Sequence, residues 1–177
     1  MKIKEIDQDI INLIIKEGSD ILLSKNMQLE SSFPMHNGVN TFDHSLGVAY
    51  LSVFFIKKHN IKNVDIRSTI RGALLHDFFL YDWHVHDKSH KFHGFIHAGR
   101  AYNNAKKEFN LNPIEKDIIL RHMFPINIKF PKYKESYIVN YADKVCAFYE
   151  IRHKKASTSV EPLKDRFSIN YPAVKFA

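Results

Sequence analysis

Cysteine is almost missing from this chain: 177 residues contain one, Cys146. That excludes an internal disulfide and any zinc site built from paired cysteines, and it suits a reducing compartment. Glycine and proline are scarce at six each, which argues against the many tight turns of an all-β sandwich and favours helices. No run of about 18 apolar residues occurs, so no segment reads as a membrane-spanning helix. The N-terminal stretch MKIKEIDQDIINLIIKEG interrupts its apolar positions with acids and lacks the continuous hydrophobic segment of a signal peptide. The expected location is cytoplasmic.

Hydrophobic residues make up 45% and charged residues 25%, an ordinary balance for a globular protein with a proper core. The formal net charge is +7, which favours anionic ligands. The basic residues are scattered rather than gathered in an arm or stripe. Nucleic-acid binding is therefore disfavoured, and phosphorylated small molecules fit the charge equally well.

Helical periodicity organises the chain. Ile6, Ile10, Leu13 and Ile14 form one apolar stripe, predicting a first helix over about residues 4–23. Phe33-Pro34, Gly38 and Asn40 mark a loop, and a second helix begins near Thr41 as N-cap and runs to about Lys58. Its residues are apolar nearly all round, which places it centrally. A third helix, capped by Asp65, leads through Ile66, Ile70, Ala73 and Leu74 into His76-Asp77. Residues 78–96 have aromatics and histidines but no sustained period, and read as a loop. A fourth helix is expected from about His97 to Phe109. The fifth is signed by Asn112 as cap, Pro113 at the first position and Glu115 at the third, and should reach about Met123. A sixth covers about 134–153. The expectation is an all-α single domain of about six helices over residues 1–155, with 156–177 as a loosely ordered tail.

Four residues on three of these helices carry the chemistry. His44 shares a face with Val48, Leu51 and Phe55; Asp77 ends the row Ile66, Ile70, Ala73; Asp143 sits on a half-buried helix with Val139, Ala147 and Glu150. A histidine or aspartate buried without a partner costs several kcal/mol, and one divalent ion would compensate all of them. Imidazole with carboxylate is the donor set of a transition-metal site rather than of a calcium cage. Each residue alone has a bland explanation: a satisfied core histidine, an uninformative dipeptide, a solvated Asp143–Lys144 pair. The ordered set within TFDHSLGVA, IRGALLHD and YIVNYADKV is more specific than any member.

This H…HD…D order resembles the HD-domain metal-dependent phosphohydrolases over about residues 40–150. ALLHD is similar to that family's signature helix end and NYADKV to its last aspartate helix. HAGRAYNNAKKEFNL and IILRHMFP further resemble the two-metal branch that includes bacterial hydrolases of dinucleoside polyphosphates. The resemblance implies that His44, His76, Asp77 and Asp143 hold one ion, and that Asp77 bridges to a second held by His97 and His122. Read without it, His97 is a helix-start residue pairing with a neighbour, and His122 a helix-end histidine favoured by the dipole. The chain departs from the family at Phe78-Phe79, where many relatives have Ile-Gly-Lys. No GYP triplet follows, and Arg121 rather than histidine precedes His122, which disfavours a cyclic-di-GMP phosphodiesterase.

Such a donor set suits iron, manganese, cobalt or nickel, with zinc also compatible. An ion of this kind acidifies a water and polarises a phosphoryl oxygen, so the expected reaction is hydrolysis of a phosphoester or phosphoanhydride, of nucleotide type, by a metal-activated hydroxide oriented by Asp77. Arg100, one turn after His97, is a candidate phosphate partner. His93 is the first candidate for the acid that protonates the leaving group, and Tyr81 or Trp83 could stack a base. The alternatives are a nucleotide-binding regulator with little turnover and an RNA-associated module. Oligomeric state is not legible.

Overall fold

The computed structural model describes residues 6–36, 38–85 and 93–167, with backbone alone at 93 and 158. The fold is all-α: eight α-helices among the described residues and one short antiparallel strand pair, β1 (Pro34–His36) and β2 (Val39–Asn40). None of the described helices is long and apolar enough to cross a membrane.

α1 (Gln8–Leu22) begins later than its apolar stripe suggests. The Asp7 carboxylate accepts from the amides of Asp9 and Ile10 and so sets the start, leaving Ile6 outside the helix. A short α2 (Lys25–Leu29), capped by Ser24, and the strand pair occupy the stretch expected as loop. α3 (Thr41–Lys58) is the central helix, with Asn40 rather than Thr41 as its cap; the Asn40 side chain accepts from the Asp43 amide at 2.8 Å. Nearly every α3 residue from Thr41 to Val53 is buried, as its all-round apolarity requires.

α3 packs against α4 (Ile66–Leu75) and α7 (Lys134–His153), and α4 packs against α6 (Pro113–Arg121). Two glycines mark these contacts. At Gly47 an added Cβ would lie 3.6 Å from the Cys146 sulfur of α7; at Gly72 it would lie 2.5–2.9 Å from Ile118 of α6. The second spacing leaves no room for a side chain unless the helices part. Buried Arg71 ties three helices together, reaching Asp20 of α1 at 2.6 Å and Glu115 of α6 at 3.2 Å. Glu115 also completes the capping box with Asn112 that the sequence announces.

α5 (His93–Glu108) starts four residues before the expected His97, so the irregular segment after the HD pair is shorter than the sequence pattern suggests. α6 ends at Arg121, with His122 as its C-cap. Beyond residue 155 the periodicity fades, yet α8 (Glu161–Phe167) docks on α1. Val160, Leu163 and Phe167 are buried, and Lys164 pairs with Asp43 of α3 at 3.0 Å. The expected loose tail is thus partly a packed helix, formed by three well-spaced apolar residues in a segment too short to show a convincing period.

Candidate metal centre

The helix packing brings together His44, His76, Asp77, His97, His122 and Asp143, and every one of them is buried. His44 stands in the first turn of α3; His76 caps the C-terminus of α4 and Asp77 follows it. Asp143 faces inward from the middle of α7, His97 lies one turn into α5, and His122 caps α6.

Asp77 is the centre of the arrangement. Its Oδ2 lies 3.3 Å from His76 Nε2 and 4.0 Å from His44 Nε2. Its Oδ1 lies 3.3 Å from His97 Nε2 and 3.4 Å from His122 Nε2. Asp143 joins the first group, with Oδ1 3.1 Å from His44 Nε2 and 3.7 Å from His76 Nε2. The potential donor atoms of His44, His76 and Asp77, and separately those of Asp77, His97 and His122, lie within 4.8 Å of one another.

These atoms are arranged for a cation. His76 Nε2 and Asp77 Oδ1 are buried without a hydrogen-bond partner, which is costly unless a further group satisfies them. His97 and His122 point their Nε2 atoms at each other across 2.8 Å, a spacing that needs either a proton or a metal cation between the two nitrogens. The opposite ring nitrogens are already engaged: His76 Nδ1 faces the Ala73 carbonyl at 2.7 Å and His122 Nδ1 the Ile119 carbonyl at 2.9 Å. Donation there leaves Nε2 as the free electron pair.

Charges within the cluster answer one another. Burial disfavours the charged forms of His44 and His76. Glu150 and Asp143 nevertheless outweigh it at His44, raising its pKa well above the usual imidazole range, and Asp77 and Asp143 lift His76 to about 10. Burial likewise opposes ionisation of Asp77 and Asp143. Their histidine neighbours overcome it and hold both pKa values far below the carboxylate norm. A divalent cation entering here therefore displaces imidazole protons.

Other expected residues lie further out. Arg100 places its guanidinium 4.8 Å from the Tyr81 ring centre, in a cleft of about 350 Å³ lined also by Phe79, Leu80, Asn103 and Asn104. Phe79 connects this cleft to the centre, its ring 4.9 Å from Tyr81 and 6.1 Å from His97. Trp83 lies against His84. His93 opens α5, but its side chain lies outside the described residues, as do residues 86–92. Lys144 donates to the His122 carbonyl at 3.2 Å, so it steadies the His122 turn.

Three residues not expected as part of the site adjoin it. Glu150 Oε2 meets His44 Nδ1 at 2.8 Å; its place on the Asp143 face of α7 is the signal that could have found it. His36, on β1, sets its ring edge-on to His44 with centres 5.5 Å apart. Glu30, fully buried, accepts from the Leu80 amide at 3.1 Å, while its other oxygen has no partner. Burial, reinforced by the charge of Asp77, pushes the Glu30 pKa well above the carboxylate range. Neither His36 nor Glu30 lies on a periodic segment, and nothing in the sequence marks them.

Buried imidazoles and carboxylates converging between the helices define a helical bundle whose clusters could hold a metal ion. The HD domain family model matches residues 41–147, and the chain belongs to that family, whose members bind divalent metals and whose general activity is metal-dependent phosphohydrolysis. No curated protein and no solved structure matches the chain.

Proposed function

We propose that this protein hydrolyses a phosphoester or phosphoanhydride in a nucleotide-like molecule at two divalent ions, as in the branch acting on dinucleoside polyphosphates. The observation that carries the reading is the division of labour within Asp77: one oxygen faces His76 and His44, the other faces His97 and His122. His44, His76, Asp77 and Asp143 would hold one ion; Asp77, His97 and His122 the other. Bound there, such ions supply an acidified water and positive charge for the phosphoryl oxygens. The donor set suits iron, manganese, cobalt or nickel.

The residues of the chain supply the rest. Asp77, fixed between four imidazoles, accepts a hydrogen bond from the attacking water and aims it. The buried walls exclude bulk water from the reacting phosphate. Arg100 neutralises a phosphate beyond the centre, and Tyr81 beside it offers an aromatic face to a base. His93, one turn ahead of His97, is assigned to protonate the leaving oxygen.

Anaerobic purification with metal analysis, followed by a phosphate-release screen over nucleotides and dinucleoside polyphosphates, tests this reading. Two equivalents of metal with turnover are expected. A protein that binds metal fully yet releases no phosphate from any of them would instead be a binding module.

A further inference from the structure

A histidine that offers Nε2 to a cation must keep its proton on Nδ1 and give it to an acceptor. At His76 and His122 the acceptor is a backbone carbonyl, Ala73 and Ile119 respectively. His44 differs. Its Nδ1 meets the Glu150 carboxylate at 2.8 Å, and both side chains are buried, 0% and 3% exposed. A carbonyl offers a dipole; a carboxylate offers a full charge in a site from which water is largely excluded, and polarises the ring more strongly.

The surroundings preserve this contact. Glu150 stands two turns along α7 from Asp143, so one helix face delivers a carboxylate to each nitrogen of the same ring. Half-buried His36 covers the pair from outside. Across α3, Gly47 stands beside the pair, and even a Cβ there would keep an ordinary 3.9 Å from Glu150 Oε1.

We propose that Glu150 is a positioning residue for His44. It fixes the ring tautomer and orientation, and makes the His44 side of the centre the tighter cation position, filled before the His97–His122 side. This rests on the two-position reading above. The distribution of charge supports it: Asp143 and Glu150 both act on the His44 side, whereas among the described residues the other side has Asp77 alone, which it shares.

Metal-free protein titrated with cobalt(II), followed by calorimetry and visible absorption, tests the assignment. Wild type should take up two equivalents in two steps. Glu150→Gln retains an oxygen acceptor without the charge and should weaken the tighter step about 10–100-fold. The weaker step should stay close to wild type. Glu150→Asp keeps the charge, shortens the reach, and should fall between; it carries the same test should the glutamine variant not fold. Titration of the variants like wild type overturns the proposal, and so does equal weakening of both steps. A lower metal-free melting temperature with unchanged cobalt affinity would make Glu150 merely structural. A whole equivalent lost even in large cobalt excess would make it a ligand. Uptake of fewer than two equivalents by wild type sinks the two-position reading itself, whereas two equivalents with an unaffected variant sinks only the role of Glu150.

Discussion

The two sides of the centre are built differently. The His44 side is set in the body of the protein, on the first turn of α3 and the middle of α7, helices that pack directly against each other. It holds Asp143 and Glu150 besides the shared Asp77. The His97 side hangs on helix ends: the second turn of α5 and the C-cap of α6, beside the irregular segment after the HD pair. The His122 turn is steadied by Asn140 and Lys144, both of which donate to the His122 carbonyl. One side is rich in carboxylates; the other is assembled from helix ends, with Phe79 standing between His97 and the Arg100 cleft. On the two-ion proposal, that difference divides the centre into a side that holds metal and a side that meets substrate.

The harshest way to break that comparison is to remove what the sides share. Asp77→Ala should cut phosphate release by about a thousandfold or more, since it withdraws a donor from both positions at once. Its far-UV circular dichroism should remain helical, and a variant that turns over near the wild-type rate would sink the scheme. A milder break touches only the substrate-facing side. Arg100→Ala should lower kcat/KM about 10–100-fold, mostly through KM, because a charged hydrogen bond to phosphate contributes about 1.5–3 kcal/mol. Arg100→Lys should recover part of it. Unchanged steady-state kinetics would remove Arg100 from the site.

The smallest effect on turnover should come from Glu30, which ties the segment after Asp77 to the body of the fold through the Leu80 amide. Its folded pKa is raised above the ordinary 4.5. The stability it contributes is therefore full below that value and lost as pH rises through the folded pKa. Glu30→Gln, neutral at every pH, should melt a few degrees above wild type at pH 8 and show a smaller gain at pH 5 in metal-free protein. Glu30→Ala leaves the Leu80 amide without its acceptor and should cost about 1–3 kcal/mol. A pH-independent gap between wild type and Glu30→Gln would contradict the raised pKa.

Much of this architecture was legible because it is local and periodic. The Asn112–Pro113–Glu115 start of α6 and the Asp65 cap of α4 are written in adjacent residues, and both appear in the structure. α3 betrays its central place by apolarity on every side. The ordered His44, His76-Asp77 and Asp143 could be gathered in advance, because three helices present them from apolar faces. What stayed hidden depends on distance in sequence. Glu30 approaches Leu80 across fifty residues, and His36 reaches His44 from a strand pair too short to have a period. The start of α5 at His93 is concealed by the histidines and aromatics before it, which mask the helical repeat. α8 escapes notice because its seven residues span barely two turns.

Gly47 sets a tolerance. It lies one turn beyond His44, where α3 faces the Cys146–Glu150 stretch of α7, and a methyl group there would still find ordinary contact distances of 3.6 and 3.9 Å. Anything bulkier would act as a wedge. Because His44 touches both Asp143 and Glu150 across that same gap, prising the helices apart would lengthen both contacts together. A residue with no side chain, and no chemistry of its own, thus serves as the gauge block for the contacts of His44.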